Sequence, residues 1–219
     1  MNYVKRGEVY YANLSENINS KEKTPVLIVQ NNIGNRYSPT TICCQINRNT
    51  DLYDICPEIE SLNKSVIAFD KIRTISKSRI KNYIGSVNQK TMDEVTKSIQ
   101  GLLNTSQAEV CYADFSPAMG SEQDKVRPSV IIEKGSTRLL CEEPLDSTLL
   151  CVPMTKAYKV YLPTHVVIEE PFLEYRSTVL GEQLKSIEKV KIRKFLGYVN
   201  SDTVHKIDEA IRISILSDH

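Results

Sequence analysis

Two residues in the second half of the chain have the types and the setting to act on a phosphate group. Arg127 ends a polar loop, GSEQDKVR at 120–127, and precedes a proline at the start of an apolar run. Thr155 ends a later apolar run, LLCVPMT at 149–155. An arginine guanidinium is a charged planar fork that matches phosphate oxygens, and a threonine hydroxyl can donate to the same oxygens. Either residue alone is common at the end of a loop or strand, so a catalytic role can be inferred only from the surrounding sequence.

Those elements occur twice. EVYYANLS at 8–15 aligns with EVCYADFS at 109–116, and TPVLIVQ at 24–30 aligns with RPSVIIE at 127–133. The correspondence continues at 45–48 with 153–156, at 65–75 with 177–187 and at 85–88 with 197–200. Solenoid repeats run roughly 20–50 residues, so a longer separation indicates two copies of one domain. We predict these domains at residues 1–103 and 108–219.

The two copies differ at the positions that could act on phosphate. Thr24 aligns with Arg127, and Asn47 aligns with Thr155. The loop before Thr24 is two residues shorter than its counterpart between Ser and Pro, and it lacks Gly-Ser-Glu-Gln. The sequence therefore predicts that the second copy has the residues needed to act on a phosphate and that the first copy has lost them.

Composition limits the protein's class. Residues 1–103 carry 14 Lys and Arg against 10 Asp and Glu, and the rest carry 14 against 17. A basic first half is consistent with holding a polyanion, and equally with drift after duplication. The six cysteines show no C-x-x-C spacing and mostly lie in apolar runs, so we expect small buried side chains in a reducing compartment. With no apolar stretch of membrane-span length and no signal peptide, we expect a cytoplasmic protein.

The periodicity predicts short strands followed by one helix in each copy. Apolar or alternating runs favour strands, which are expected at 8–13, 26–30, 41–46, 66–69 and 72–75, and at 109–114, 129–133, 149–154, 165–168 and 184–187. Asn88 and Asn200 are good N-cap residues ahead of helical apolar patterns. The predicted fold class is mainly β with helices (α+β): two small β-barrel-like domains, each with a C-terminal helix.

The loop GSEQDKVRP at 120–128, followed by PMTK at 153–156 and LPTHV at 162–166, resembles the MazF/PemK family of toxin endoribonucleases. VKRGEV at 4–9 and DKIRTISKSR at 70–79 extend the resemblance to the first copy, so it covers nearly the whole chain as a tandem pair. The resemblance implies SH3-like barrels, cleavage of single-stranded RNA without metal or cofactor, and inhibition by an antitoxin protein. Family members are ordinarily homodimers, so a tandem chain is expected to form an intrachain pseudo-dimer or a homodimer.

The resemblance also assigns the site. The family's catalytic pair falls on Arg127 and Thr155, and the resemblance implies that Arg127 also serves as acid and base. Because a guanidinium deprotonates poorly, Glu122 or His165 could take a share of the proton transfer. RNA contacts are expected from a wider set of polar residues: Ser121, Glu122, Gln123, His165, Arg73, Thr74, Ser78 and Arg79. The second copy departs from the family in lacking Lys-Arg-Gly at its start and in having Gln-Leu-Lys-Ser at 183–186.

Two other functions remain open at this point. The chain could be a non-catalytic module that binds RNA or an antitoxin, with Arg127 and Thr155 as relics. It could also be a gyrase-directed toxin, because one such family shares this fold.

Overall fold

The computed structural model describes residues 3–15, 20–48, 65–103, 108–132, 148–156 and 162–216. The chain divides into two compact units. The first comprises Met1–Ile99 with the short segments Met119–Glu122 and Ile215–His219, and the second comprises Gln100–Ala118 and Gln123–Ser214. The units follow the two repeats except at these short segments and at residues 100–103, which fall in the second unit. Met119–Glu122 comes from the loop of the second repeat.

The first repeat is a five-stranded antiparallel sheet with two helices. Its elements in chain order are β1 (Glu8–Ala12), β2 (Thr24–Ile28), α1 (Asn32–Tyr37), β3 (Thr40–Arg48), β4 (Ser65–Ser76), β5 (Ile80–Ser86) and α2 (Gln89–Leu102). The strands lie in the order β4-β3-β2-β1-β5. One face packs into a buried cluster that includes Val26, Ile28, Cys43 and Ile75.

The second repeat has the same plan with two additional short strands. Its elements are β6 (Ala108–Asp114), β7 (Val126–Ile131), β8 (Thr148–Thr155), β9 (His165–Ile168), β10 (Ser177–Leu180), β11 (Lys185–Glu188), β12 (Ile192–Val199) and α3 (Ser201–Ile215). The strand order is β12-β6-β7-β8-β10-β9, and β11 also pairs with β8. The core includes Phe115, Ile131, Cys151 and Ile187.

The strand registers reproduce the alignment of the two copies. Val26 pairs with Gln45 in the first sheet, and the aligned residues Ser129 and Pro153 pair in the second. Asn47 lies opposite Val66, and Thr155 lies opposite the aligned Thr178. A register slip of one residue would turn each side chain to the other face, so both copies retain the same pattern of faces.

Each repeat ends in a helix capped as expected. The side chain of Asn88 accepts from the backbone N–H of Thr91 at 2.9 Å, and Asn200 accepts from Thr203 at 2.9 Å. These bonds satisfy one of the backbone donors that every helix start leaves unpaired. The predicted class of two mainly β domains, each closed by a helix, is confirmed.

The structure also contains elements that the periodicity did not predict. Strands β5 and β12 are largely exposed, so they lack the apolar alternation that marks a half-buried strand. The two predicted strands within 65–76 form one strand, β4, which is interrupted only by a register shift opposite Cys44 and Gln45. Helix α1 is a short helix of six residues whose N-cap is Asn31.

Two further expectations can be compared with the described residues. Cys43, Cys44, Cys111 and Cys151 are buried free thiols, whereas Cys56 and Cys141 lie outside the described residues. Among the helices that the structure describes, none is long and apolar enough to cross a membrane.

Candidate active site in the second repeat

Arg127 and Thr155 come together through the register of strands β7 and β8. These strands pair antiparallel, with Ser129 opposite Pro153. The printed pairing ends there, and the same register extended by two residues would set Arg127, near the start of β7, opposite Thr155, the last residue of β8. Opposed residues of antiparallel strands present their side chains on one face with Cβ atoms about 4.5–5.5 Å apart. Both residues are half-buried, so their polar groups lie at the edge of the core.

The preceding loop holds the Arg127 guanidinium in place. Its Nε and Nη2 donate to the backbone carbonyl of Asp124 at 2.9 and 2.6 Å, and its Nη1 donates to Gln123 Oε1 at 2.5 Å. The loop makes this turn with two residues in the left-handed region, Gly120 at φ 60° and Lys125 at φ 65°. A guanidinium fixed in this way does not have to lose rotamer freedom when it meets a phosphate.

Burial also affects the charge of this group. Partial desolvation lowers the pKa of Arg127 from its usual value, and the nearby Asp124 carboxylate partly opposes that shift. Desolvation penalises the charged form of a base, so an anionic ligand that returns a counter-charge is favoured at this position. The arrangement therefore suits an anion that carries developing negative charge.

The first repeat has the same backbone positions without these groups. Continuing the register from Val26 and Gln45 sets Thr24 opposite Asn47. Thr24 begins β2 as Arg127 lies near the start of β7. The first site thus has two short neutral side chains where the second has a cation and a hydroxyl.

Glu122 and Arg79 form a buried ion pair within the first compact unit. The carboxylate accepts from Arg79 Nε at 2.6 Å and from Nη2 at 3.3 Å, and the two side chains are 4% and 7% exposed. The backbone N–H groups of Ser76 and Met119 donate to it as well, at 2.8 and 3.3 Å. We expected both residues to contact RNA and Glu122 to be a candidate for proton transfer. Both side chains are buried and paired with each other, and their predicted contact with RNA and the candidate role of Glu122 in proton transfer stay predictions.

The other candidates from the first repeat differ in accessibility. Ser78 is exposed and bonds Ser76 Oγ at 2.9 Å, whereas Thr74 is buried. Arg73 is half-buried opposite Cys43, and its Nε has no hydrogen-bond partner among the described residues. Ser121, from the second repeat's loop, is exposed. Of this group, Ser78, Ser121 and Arg73 are the residues that a ligand could reach.

His165 is separate from the Arg127 loop. It begins β9, two strands away from β8 in the sheet, and its Nε2 lies 3.1 Å from Glu182 Oε1. Its side chain is 6% exposed. Strand spacings of about 4.8 Å put the His165 backbone roughly 10 Å from β8. Its predicted contact with RNA stays a prediction.

Sequence reasoning missed several contacts of the candidate residues. Asp124 acts through its backbone carbonyl, Glu182 pairs with His165, and Thr178 lies buried opposite Thr155. A backbone acceptor leaves no trace in residue type, and the other two contacts depend on strand register. Within the described ranges, no three His, Cys, Asp or Glu side chains converge as metal ligands.

Fold and site together define a class: small β domains, each closed by a helix, in one of which an arginine near the start of one strand and a threonine at the end of the next lie on paired strands. The family model described as "PemK-like, MazF-like toxin of type II toxin-antitoxin system" matches the chain twice, at residues 5–103 and 106–215. The chain therefore belongs to this toxin family and contains two copies of its domain. The resemblance inferred from the sequence motifs is confirmed.

Individual relatives each match one copy. The chain is 38% identical over 106 residues to endoribonuclease EndoA of Bacillus subtilis, covering 44% of this chain and 91% of that protein. Among solved structures, a mycobacterial endoribonuclease in complex with its cognate antitoxin is 27% identical, with a TM-score of 0.36 and coverage of 45% of this chain and 91% of that one. A MazF from Deinococcus radiodurans is 18% identical, with a TM-score of 0.39 and coverage of 48% and 89%.

Proposed function

We propose that this chain, an endoribonuclease of the MazF type, cleaves single-stranded RNA at one active site formed by Arg127 and Thr155 of the second repeat. The first repeat is a non-cleaving half that contributes to RNA binding. The observation that supports the proposal is the strand register, which pairs Ser129 with Pro153 and Val26 with Gln45. Extended by two residues, it would set Arg127 opposite Thr155 in one repeat and Thr24 opposite Asn47 in the other.

The reaction uses the RNA's own 2′-hydroxyl. Its oxygen forms a bond to the adjacent phosphorus while the bond from phosphorus to the 5′-oxygen breaks, leaving a 2′,3′-cyclic phosphate and a 5′-hydroxyl. One proton leaves the 2′-oxygen, and one reaches the 5′-oxygen. Negative charge builds on the phosphoryl oxygens in between, and its stabilisation by fixed donors is the main task of the protein.

Arg127 and Thr155 suit that task. The guanidinium matches phosphate geometry and is already oriented by Gln123 and Asp124. The Thr155 hydroxyl, on the same face, is placed to donate to the same phosphate. Loss of one such donor typically lowers the rate by about 10²–10³-fold.

The wider assembly follows from family membership. We propose that an antitoxin protein inhibits the enzyme, that its RNA substrate is met in the cytoplasm, and that the two repeats act together as an intrachain pseudo-dimer. Two family matches in one chain support the last point, because they supply both halves of a dimer in one polypeptide. Native mass spectrometry of the active protein tests it, since a single-chain mass supports the pseudo-dimer and a two-chain mass supports a homodimer.

The decisive experiment incubates the purified chain with a long single-stranded RNA in excess chelator and maps the new 5′ ends. We expect discrete cuts with 5′-hydroxyl ends. Arg127→Ala should lower the cleavage rate by about 10²–10³-fold. The matched variant Thr24→Ala, at the equivalent position of the first repeat, should leave it within twofold of the unmodified chain. Full activity in Arg127→Ala would overturn the single-site proposal. If the unmodified chain leaves the RNA intact, the remaining candidate functions are a non-catalytic binding module and a gyrase-directed toxin.

A further inference from the structure

The buried pair of Arg79 and Glu122 joins a residue of the first repeat to the loop that precedes Arg127. Glu122 is surrounded by four hydrogen-bond donors, two from Arg79 and two from backbone N–H groups. Breaking a buried ion pair by removing one partner is strongly destabilising, because it leaves an uncompensated charge. The pair is therefore a firm attachment point for the loop.

Other contacts of the same segment agree with this attachment. A Cβ on Gly120 would lie 2.9 Å from Ser76 Oγ, so the loop backbone at this position closely approaches the Ser76 side chain. Ser78 Oγ also donates to the Met119 sulfur at 3.5 Å. The segment Met119–Glu122 accordingly belongs to the first compact unit.

The chain connects this anchor directly to the catalytic arginine. Gln123 follows Glu122 and accepts from Arg127 Nη1, and the carbonyl of the next residue, Asp124, accepts from Nε and Nη2. All three nitrogens of the guanidinium are thus held by the two residues that come straight after the anchored glutamate. Moving Glu122 would move both acceptors.

The two repeats have kept different parts of this arrangement. Arg79 Nη1 donates to the Ser15 carbonyl at 2.9 Å, and the aligned Lys191 Nζ donates to the aligned Ser116 carbonyl at 3.2 Å. The guanidinium has further N–H groups for Glu122, whereas Lys191 has the compact head group of an ammonium. In the first repeat's loop, Glu22 is exposed. The arginine is retained in one repeat and the glutamate in the other.

From this geometry we propose that Arg79 and Glu122 are positioning residues for the active site, and that the first repeat is required for catalysis because it anchors the loop that orients Arg127. The inference rests on the proposed RNA cleavage at Arg127. It assigns the first repeat a role distinct from RNA binding, and it makes Glu122 a structural carboxylate that takes no part in proton transfer.

The test is a double-mutant cycle of Arg79→Gln, Glu122→Gln and the combined variant, which leaves no unpaired buried charge. Cleavage rates at saturating RNA, the pH–rate profile and hydrogen exchange of the peptide spanning 117–128 are measured for each. We expect kcat to fall at least tenfold in both single variants, with KM changed less than threefold. The combined variant should be no worse than the poorer single one, because both residues act through one contact. The pH profile should keep its shape, and exchange in 117–128 should rise.

Controls separate positioning from folding and from loss of charge. Arg36→Met removes an exposed arginine of the first repeat and should leave kcat unchanged. The thermal midpoint of the combined variant should not lie below that of either single variant, since each single variant leaves an uncompensated buried charge.

Three results would overturn the inference. They are full kcat in Glu122→Gln, unchanged exchange in 117–128, or loss of one limb of the pH profile in Glu122→Gln alone, which would make Glu122 an acid or base. If the unmodified chain does not cleave RNA, or Arg127→Ala retains full activity, the proposed function fails instead, and the exchange measurement still decides whether Arg79 anchors the loop.

Discussion

The two repeats share their backbone plan and differ in the side chains at its functional end. Register, core positions and helix caps correspond residue by residue, as the pairs Val26–Gln45 and Ser129–Pro153 show. The groups placed at the end of that register are Thr24 and Asn47 in one repeat and Arg127 and Thr155 in the other. Core packing and strand register are needed by any copy that folds, whereas the groups that we propose as catalytic are needed only where cleavage occurs. The comparison separates what the fold requires from what the chemistry requires.

A second difference concerns contacts near the closing helices. In the first repeat, Arg6 Nη2 donates to Thr96 Oγ1 at 2.5 Å. The aligned positions in the second repeat are Gln107 and Asp208. Asp208 is buried in α3, and its Oδ1 has no hydrogen-bond partner among the described residues. In the first repeat, Thr96 of the closing helix therefore accepts from a cation. In the second repeat, the aligned residue is Asp208, and burial disfavours the charged form of its carboxylate.

Among the variants that compare the two repeats, we expect the largest loss of cleavage rate from a change in the threonine at the end of β8. We expect Thr155→Val, which keeps the shape and removes the hydroxyl, to lower kcat by about 10²-fold through loss of one donor to the phosphate. The matched Asn47→Ala, at the end of β3, should change kcat less than twofold. Single-turnover cleavage of an RNA carrying one mapped site measures both. Equal losses in the two variants would mean that both repeats take part in the chemistry.

Most of the fold could be predicted from the sequence because its buried strands are apolar or alternating runs and its helices have clear caps. Asn88 and Asn200 are local signals that need no tertiary information. Strands β5 and β12 were not predicted, since exposed strands depend on backbone pairing with β1 and β6 rather than on an apolar pattern. The duplication made it possible to align the two repeats from sequence alone, and the strand pairings in the two sheets agree with that alignment.

The candidate site was only partly predictable. Arg127 and Gln123 are visible in the loop motif, and the structure joins them by a hydrogen bond. The pairing of Glu122 with Arg79 was not visible, because the two residues lie 43 positions apart. A charged residue in a motif looks the same in sequence whether it meets RNA or another side chain. Burial distinguishes the two cases, and burial of such residues depends on tertiary packing.

A smaller effect concerns stability of the second repeat. Burial raises the pKa of Asp208 to about 6, while Arg212 and His205 act in the opposite direction. Since the pKa is raised on folding, the stabilising contribution of the neutral carboxyl is complete below about pH 4 and is lost as the pH rises through about 6. Asp208→Asn should therefore raise the free energy of unfolding by about 1–2 kcal/mol at pH 7.5 and by little at pH 4.

Thermal unfolding at the two pH values measures this difference as a shift of a few degrees in the midpoint. Glu209→Gln removes an exposed carboxylate from the same helix and serves as the control, with no pH-dependent gain expected. A gain of the same size at pH 4 would show that the carboxylate charge is not the cause.

The smallest expected effect is the most informative about the two repeats. In an Arg127→Ala background, Thr24→Arg combined with Asn47→Thr gives the first repeat the same two catalytic residue types at the same register positions. We expect cleavage to stay below about 1% of the unmodified chain, because the short first loop lacks the Glu-Gln pair that anchors and orients the arginine in the second repeat. Circular dichroism checks that the variant is folded, and cleavage of the mapped RNA measures activity. Recovery to within tenfold of the unmodified chain would show that the two residue types alone make the site and that loop anchoring adds little. Continued inactivity in a folded variant would mean that the arginine works only when its loop is held.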